Sequence, residues 1–430
     1  MSDPLKIGVA GLGTVGAGLL RLISDRAQDL TLRAGRSIEI AAISARDRNA
    51  DRGVDISPYV WRDDPLDLAR DADIDVVVEL IGGSDGIAKD LSEAAFENGK
   101  HVVTANKALV AHHGTALAHG AEAAGVSFSY EAAVAGGIPI IKSLREGLAG
   151  NRLNRVYGIL NGTCNYILTA MSEQGREFED ILAECQKLGY AEADPSFDID
   201  GIDAAHKLAI LASVAFGGEV NFEAVHVEGI RHISPVDMQF AEELGYRIKL
   251  LGIASIRDDG LEQRVHPCMV PADTAIAHVS GSLNAVVADG DFVGTIVHEG
   301  AGAGAGPTAS AVAADIIDIA RGFRVPTFGV PAKQLKTFPS VPMQKHSGAY
   351  YIRLMVVDKP GVFADIADSL RDHAVSMKSV LQRTRDPGEA VPVVMTMHET
   401  EEASMTRVLE AIDAIGAVVE PPRMIRIESL

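Results

Sequence analysis

The sequence has few cysteines, no excess of positive charge and no long apolar run. Its 430 residues contain three cysteines, Cys164, Cys185 and Cys268, with no C-x-x-C pair, which disfavours a disulfide framework and fits a reducing cytoplasm. No His/Cys grouping has zinc spacing. The net charge of −20 excludes a general nucleic-acid binder, which needs a basic surface. Apolar stretches are short and interrupted, and no signal-peptide pattern opens the chain, so we expect a cytoplasmic protein without a membrane span.

A glycine motif follows the first apolar stretch. Gly11, Gly13 and Gly16 form a G-x-G-x-x-G pattern between a predicted strand and a predicted helix. The first glycine permits a tight turn, the second lets the backbone approach a pyrophosphate, and the third allows close packing of helix on strand. The helix start at Thr14 and Val15 offers unpaired N–H groups to the phosphates, so the pattern predicts a dinucleotide site.

Strands predicted at 38–44, 76–80 and 101–104 alternate with helical stretches. This alternation predicts an α/β fold with a Rossmann-type, doubly wound parallel sheet, whose ligands bind at the carboxyl ends of the strands. The second strand ends before Arg46 and Asp47. Arg46 suits a 2′-phosphate and favours NADP, whereas Asp47 keeps NAD open.

Two further strand ends carry polar residues. One reads Glu79-Leu-Ile-Gly82-Gly83, and the other reads Thr104-Ala-Asn106-Lys107. A lysine at the exit of a central strand is directed toward the ligand-binding crevice, so Lys107 is a candidate functional residue.

A second lysine lies within an almost wholly apolar helix. Lys207 follows Asp203 by four residues, on the same helical face, and a buried ammonium is costly unless it is paired. Glu192, Asp194, Asp198 and Asp200 precede the helix. These acids indicate chemistry on a small, polar, cationic substrate. The alternative is a solvated ion pair at a helix start.

Three segments between the predicted elements have special backbone patterns. The stretch from Glu131 to Pro139 could present carbonyl groups to a cation, although an ordinary turn is the default. The turn at 161–163 has exposed donors suited to a carboxylate. Alternating Gly and Ala at 300–306 could accommodate a flat ligand, with Pro307 at the start of a helix over 311–321; a flexible linker is the alternative.

The C-terminal part is predicted to be a separate compact unit. Prolines cluster between residues 325 and 346, which indicates a linker. The following 80 residues predict the order βαββαβ, the ferredoxin-like arrangement.

These motifs together resemble a homoserine dehydrogenase of the long form over essentially the full chain. The resemblance is carried by Gly11-x-Gly13-x-x-Gly16, Glu79-Leu-Ile-Gly82-Gly83, Thr104-Ala-Asn106-Lys107, Asn161-Gly162-Thr163, Lys187-Leu-Gly189-Tyr190-Ala-Glu192-Ala-Asp194-Pro195, Asp203 with Lys207, and Gly306-Pro-Thr-Ala-Ser310. The C-terminal unit, with Asp358-Lys-Pro-Gly-Val362, is similar to an ACT domain, a module that commonly binds amino acids.

The resemblance implies reversible hydride transfer between L-aspartate 4-semialdehyde with NAD(P)H and L-homoserine with NAD(P)⁺. It makes Lys207 the proton donor in reduction, gives Lys107 a catalytic role, and makes Asp203 the partner that orients Lys207. An apolar setting favours the neutral amine and the Asp203 carboxylate favours the ammonium, so the two effects oppose each other.

The resemblance also implies the ligand-binding residues. Those for the substrate are Glu192, Asp198, Tyr190, Thr163 and Gly162; those for NADP or NAD are Gly11, Gly13, Thr14, Val15, Gly16, Arg46, Gly82, Thr104, Lys107, Gly304 and Gly306; and those for a possible Na⁺ are Glu131 and the carbonyls of Val134, Gly136 and Ile138.

We therefore expect an NAD(P)-binding domain at 1–135, completed by part of 300–345, and an α+β catalytic and dimerisation domain at 136–320. A linker at 321–348 and an ACT domain at 349–430 follow. We expect a homodimer or homotetramer, with threonine as a possible effector. Two alternatives stay open: another NAD(P)-dependent dehydrogenase of amino-acid metabolism, and a catalytically silent amino-acid sensor. A covalent semialdehyde enzyme is disfavoured because Cys164 has no evident base.

Overall fold

The computed structural model describes residues 3–189, 191–383 and 388–430. Its N-terminal unit consists of β1 (Leu5–Ala10), α1 (Thr14–Asp25), α2 (Ala27–Ala34), β2 (Ile38–Ser44), β3 (Val60–Trp61), α3 (Leu66–Arg70), β4 (Val76–Glu79), α4 (Ile87–Glu97), β5 (His101–Thr104), α5 (Lys107–Ala124) and β6 (Phe128–Ser129). These strands pair in parallel in the order β3-β2-β1-β4-β5-β6. This order is that of dinucleotide-binding sheets and confirms the predicted Rossmann-type fold.

The second unit is largely antiparallel. It contains α6 (Ile140–Lys142), β7 (Leu153–Ile159), α7 (Gly162–Gln174), α8 (Phe178–Lys187), α9 (Ser196–Ile199), α10 (Ile202–Phe216), β8 (His226–Val227), α11 (Pro235–Glu243), β9 (Tyr246–Arg257), β10 (Gly260–Pro271), β11 (Leu283–Gly290), β12 (Gly294–Ala301) and α12 (Ala305–Ala320). Its long strands pair in the order β12-β11-β7-β9-β10. Helix α10 packs on this sheet through fully buried apolar side chains such as Leu208 and Leu211.

Helix α12 returns to the N-terminal unit and begins earlier than predicted. It packs along α1, so closely that a Cβ at Gly18 would lie 2.8 Å from the carbonyl oxygen of Ala305. The prediction that a helix starts near Ala311 with Pro307 in first position was wrong. The small residues after Gly304 form the first turn, because their close packing on α1 compensates for the low helix propensity of glycine.

The C-terminal unit comprises β13 (Ser347–Val357), α13 (Val362–Asp372), β14 (Met377–Leu381), β15 (Ala390–Glu401), α14 (Glu402–Asp413) and β16 (Arg423–Ile427). Its strands pair in antiparallel fashion in the order β16-β13-β15-β14, which confirms the ferredoxin-like arrangement. Strand β16 also pairs in parallel with β10, through Cys268 with Arg426 and Met269 with Ile427. The ACT-like sheet is therefore continuous with that of the second unit.

The proline-rich segment before β13 packs on the rest of the chain. The Tyr130 hydroxyl donates to the carbonyl of Thr327 at 2.7 Å, and Phe328 is fully buried. Farther along, Leu261 N–H donates to the carbonyl of Pro339 at 2.9 Å. The segment is thus held in place rather than extended between units. Within the described residues, no helix has both the length and the apolar character that a membrane crossing needs.

Candidate active site

Two lysines from different units share one buried carboxylate. On α10, the Lys207 ammonium donates to Asp203 Oδ2 at 2.7 Å and to the carbonyl oxygen of Leu160 at 2.7 Å. Lys107, the first residue of α5, places its ammonium 2.9 Å from Asp203 Oδ1. Asp203 therefore connects the lysine at the exit of a Rossmann strand with the lysine of the apolar helix. The prediction that Asp203 pairs with Lys207 is confirmed, and its bond to Lys107 is an addition.

Asn161 connects Asp203 to a second carboxylate. Its Oδ1 caps α7 by accepting from Cys164 N–H, and its Nδ2 donates to Asp203 Oδ2 and to Asp198 Oδ1, each at 2.8 Å. The Asn161 side chain is buried, so it is not the exposed donor that the turn pattern suggested. It organises the acidic side of the site instead.

Burial and charge act against each other on these two carboxyls. Burial raises the pKa of Asp203, but the Lys207 and Lys107 ammoniums and the Asn161 bond outweigh it and hold that pKa well below its ordinary value. Asp198 differs, because burial raises its pKa more than the Asn161 bond lowers it. Asp203 is therefore a permanent anion. Burial also raises the pKa of the Cys164 thiol well above its usual range, which disfavours it as a nucleophile.

A cavity of about 470 Å³ surrounds this cluster. Its volume suits a small ligand together with part of a cofactor. The lining residues are Lys107, Asn161, Gly162, Thr163, Tyr166, Gly189, Asp198, Asp203, Lys207, Ser282, Asn284, Ala301, Gly302, Ala303 and Gly304.

Not every predicted substrate residue reaches this cavity. Gly162, Thr163 and Asp198 line it, and Asp198 also accepts from the Thr163 hydroxyl at 3.4 Å. Glu192 is exposed and is not a lining residue. Tyr190 lies outside the described residues.

A second cavity, of about 560 Å³, lies at the glycine turn after β1. A Cβ at Gly11 would stand 2.3 Å from the Leu80 carbonyl oxygen, and one at Gly16 would stand 2.1 Å from that of Gly11. A Cβ at Gly13 would have no neighbour within 4 Å, so this backbone is open to a ligand. The first turn of α1, at Thr14 and Val15, follows directly. The geometry fits a pyrophosphate at a helix N-terminus.

The side of this cavity next to β2 carries charges of both signs, with Asp47 and Asp63 beside two arginines. Arg46 lines it together with Arg52, whose guanidinium donates to the carbonyls of Leu12 at 3.2 Å and Ala50 at 2.7 Å. The Asp47 carboxylate accepts from Asn49 N–H at 2.8 Å. Asp47 also lines the cavity, so its carboxylate stays within reach of ribose hydroxyls.

The ends of β4 and β5 are connected by buried hydrogen bonds. Glu79 accepts from Ile81 N–H at 2.7 Å and from the Thr104 hydroxyl at 2.6 Å. Asn106 caps α5 and donates from Nδ2 to the Gly83 carbonyl at 2.6 Å. Thr104 is fully buried and its side chain supports the loops. It does not line the cofactor cavity, as we had predicted it would.

Three predicted glycines occupy different places. Gly82 lies in the loop after β4, and its N–H donates to Glu79 Oε1 at 3.2 Å. Gly304 lines the substrate cavity and precedes α12 with φ +120°, a backbone conformation that favours glycine. Gly306 is exposed in the first turn of that helix.

The predicted cation segment is buried beside α12. Glu131 accepts from Ile141 N–H at 2.9 Å and from Lys142 N–H at 2.8 Å. Burial, with the nearby Asp315 carboxylate, raises the pKa of Glu131 to about 7. Among the described hydrogen bonds, none ends on the carbonyls of Val134 or Gly136. The third predicted ligand, the Ile138 carbonyl, accepts from Ile140 N–H at 2.8 Å, and Glu131 has hydrogen-bond donors of its own.

Sequence reasoning missed Arg52 in the cofactor cavity and Ser282 and Asn284 in the substrate cavity. Arg52 lies in a loop without a motif. The other two flank the start of β11, which no predicted strand covered, so no local pattern marked them.

The fold and the two cavities define a class of protein. Both cavities lie at the carboxyl edge of a dinucleotide-binding sheet, and one of them holds two lysines on a shared carboxylate. Such an arrangement is that of an NAD(P)-dependent oxidoreductase acting on a CH–OH group.

Comparison with known proteins identifies the family. Family profiles match for the homoserine dehydrogenase NAD-binding domain over residues 11–131, for homoserine dehydrogenase over 139–317, and for the ACT domain over 350–417. The homoserine dehydrogenase of Pseudomonas aeruginosa is 46% identical, with 99% of each chain covered. The chain belongs to the homoserine dehydrogenase family.

Solved structures agree. The crystal structure of a homoserine dehydrogenase from Thiobacillus denitrificans is 45% identical, covers 99% of each chain and superposes with a TM-score of 0.94. A hyperthermophilic archaeal homoserine dehydrogenase in complex with NADPH is 29% identical and superposes with a TM-score of 0.64, over 75% of this chain and 99% of its own.

Proposed function

We propose that this chain reduces L-aspartate 4-semialdehyde to L-homoserine with NADPH, reversibly, in the biosynthesis of threonine, methionine and isoleucine. The observation that carries the proposal is the Asp203 carboxylate that holds both Lys207 and Lys107 in one cavity. The cofactor, when bound in the glycine-lined cleft, supplies the hydride.

In the proposed reaction Lys207 transfers the proton and Lys107 stabilises the developing negative charge. An ammonium has three N–H donors, and the described bonds of Lys207 use two of them, to Asp203 and to Leu160. The third is left for the substrate carbonyl oxygen, to which Nζ passes its proton in reduction and from whose alcohol it takes one in oxidation. Lys107 brings a second positive charge to the oxygen that becomes an alkoxide.

The substrate's polar groups match the opposite wall. Asp198 offers a carboxylate to the α-ammonium, and the N-terminus of α7 at Gly162 and Thr163 suits the α-carboxylate. Glu192 and Tyr190 stay predicted substrate contacts.

A preference for NADP over NAD is supported by the two arginines in the cofactor cavity. Arg46 and Arg52 line it, and the archaeal relative described above binds NADPH. Arg46→Ala should lower kcat/KM for NADP⁺ by about tenfold or more, as expected when one charge-assisted hydrogen bond is lost, and leave that for NAD⁺ nearly unchanged. Equal losses with both cofactors would contradict the assignment.

A monovalent cation, Na⁺ by family resemblance, is proposed at the carbonyls of Val134, Gly136 and Ile138 beside Glu131. Support comes from the two uncommitted carbonyls and from the buried acidic neighbour. Replacing Na⁺ by N-methylglucamine at constant ionic strength should lower the Tm. An unchanged Tm would argue against the site.

Feedback regulation by threonine through the ACT-like unit is proposed as well. We propose a homodimer or homotetramer whose chain has the three domains and the linker set out from the sequence. The β16–β10 pairing supports the feedback, because a change in the C-terminal sheet would act directly on the catalytic one. An unchanged rate in millimolar threonine at saturating substrate would count against it.

The deciding experiment is homoserine-dependent reduction of NADP⁺ and NAD⁺ by the purified protein, followed by absorbance. Turnover establishes the reaction. Folded protein that binds an amino acid but turns over neither cofactor would favour the silent sensor. The intact Lys107–Asp203–Lys207 cluster disfavours that alternative.

A further inference from the structure

The carboxamide of Asn284 forms part of the wall of the catalytic cavity. This second residue of β11 is 1% exposed, and its Nδ2 donates to the Leu160 carbonyl at 3.1 Å. The same carbonyl accepts from the Lys207 ammonium. Because a carbonyl only accepts hydrogen bonds, the amide nitrogen must face Leu160, and the oxygen must face away from it.

The Asn284 oxygen has no donor among the described residues, although it is buried. Buried acceptors of this kind are rare in folded proteins and point to a partner that binds there. A Cβ on Gly302 would lie 2.4 Å from this oxygen, and one on Gly162 would lie 3.5 Å from it. The Asn284 side chain therefore packs against two segments that lack side chains, and all three line the same cavity.

We propose that Asn284 Oδ1 accepts a hydrogen bond from an N–H group of a bound ligand and so acts as a specificity residue. The proposal rests on the proposed function, in which two ligands carry such a donor: the α-ammonium of homoserine and the carboxamide of the nicotinamide ring. A neutral amide suits the position, since an aspartate there would set a carboxylate against the Leu160 carbonyl and lose that bond.

The test compares ligands that differ only in this donor, in the wild type and in Asn284→Ala. One pair is NADP⁺ and its 3-acetylpyridine analogue, in which a methyl ketone replaces the carboxamide. The other is homoserine and 4-hydroxybutanoate, which lacks the ammonium. Calorimetry gives the four dissociation constants without turnover. Asn165→Ala is the matched control, because Asn165 is equally buried but donates to the carbonyls of Val279 and Leu283.

We expect the wild type to bind the donor-containing member of one pair about tenfold more tightly or better. In Asn284→Ala this preference should fall by about tenfold for that pair alone, which identifies the donor, and in Asn165→Ala it should stay unchanged. Loss of the bond to Leu160 affects both members of a pair and cancels in the ratio.

The proposal is overturned if both preferences of the wild type persist in the folded variant, or if the wild type has neither. Should Asn284→Ala not fold, Asn284→Ser removes the amide with a smaller loss of polarity and is measured in its place. Failure of the proposed function is distinguishable, because a wild type that does not oxidise homoserine still reports on Asn284 through the cofactor pair.

Discussion

At the scale of single residues, the site depends on one anion that serves two cations. An isolated buried ammonium is costly, and Lys207 avoids this cost only through Asp203 and the Leu160 carbonyl. Since the pKa of Asp203 stays low despite burial, the anion persists throughout the working pH range. Asp203 therefore fixes the positions of both ammoniums, which in the proposed mechanism face the substrate oxygen.

Removing the Lys207 ammonium should stop turnover without preventing cofactor binding. For Lys207→Ala we expect kcat for homoserine oxidation to fall by about 10²- to 10⁴-fold, the range for a lost acid–base group. The NADPH dissociation constant, measured by fluorescence, should stay within about twofold, because the glycine-lined cleft is untouched.

A matched control is the buried Lys249, whose ammonium donates to the Val279 carbonyl at 2.6 Å. Lys249→Ala should lower the Tm but keep kcat within a few-fold. A Lys207→Ala enzyme with near-normal kcat, or equal losses of kcat in both variants, would remove the assigned role.

At the scale of secondary structure, buried side chains at the ends of β4 and β5 hold the loops beside the ligand cavities. Glu79 holds the loop after β4, and the Thr104 hydroxyl joins it to β5. Asn106 both caps α5 and holds the Gly83 carbonyl. These residues orient the start of α5, from which Lys107 reaches Asp203.

Loss of the Asn106 cap should affect stability and cofactor binding together. Asn106→Ala removes the α5 cap and leaves the Gly83 carbonyl without its partner, so we expect the free energy of unfolding to fall by about 1–2 kcal/mol. The KM for NADP⁺ should rise several-fold as the loop after β4 loosens. Asn98→Ala, at an exposed helix end, should leave that KM unchanged. Identical KM values for the two variants would contradict the positioning role.

Local patterns predicted the elements that have a strong period or a motif. The glycine turn, the strands ending at Ser44 and Thr104, and the βαββαβ order all follow from such signals. The predicted start of α12 was wrong, because tertiary packing on α1 stabilises a Gly-Ala helical turn that intrinsic helix propensity disfavours. Asn284 was missed because its role depends on a carbonyl 124 positions away in sequence, which no local pattern encodes.

At the scale of the whole molecule, the catalytic and ACT-like sheets share buried charges. Arg264 of β10 donates to both oxygens of Glu428, which follows β16, at 2.5 and 3.0 Å. Arg426 of β16 donates to both oxygens of Glu228 at 2.8 and 2.9 Å. The Arg264–Glu428 pair is buried, and breaking it would leave an uncompensated charge, whereas Glu228 is partly exposed. The two units are therefore mechanically connected.

This junction should make stability sensitive to acid. Burial alone would raise the pKa of Glu262, but the His346 ring, Arg264 and Arg257 together lower it from 4.5 to about 2. Its stabilising effect is therefore complete above pH 4.5 and is lost as the pH falls toward 2. Between pH 7 and pH 3 the wild type should lose about 2 kcal/mol from this group, by linkage.

The measurement is urea unfolding at the two pH values. Glu262→Gln should be less stable at pH 7 and lose correspondingly less on acidification. An exposed glutamate, Glu410, provides the control variant Glu410→Gln, which should follow the wild type. Parallel pH profiles for Glu262→Gln and the wild type would contradict the assignment.

The contact between the two sheets should also transmit the proposed inhibition by threonine. The ion pair of Glu228 with Arg426 can be weakened without removing every charged partner of Arg426. Glu228→Gln replaces one charged partner of Arg426, which keeps Glu402 as its other carboxylate. Basal kcat should change by less than about twofold, whereas the threonine concentration for half inhibition should shift several-fold. Residues along such a connection modulate coupling by about 0.5–2 kcal/mol.

Glu420→Gln, at an exposed glutamate 3.9 Å from Arg353, is the control and should leave inhibition unchanged. Equal inhibition curves for all three proteins would show that the Arg426–Glu228 pair does not transmit the signal, and a wild type indifferent to threonine would remove the feedback proposal itself.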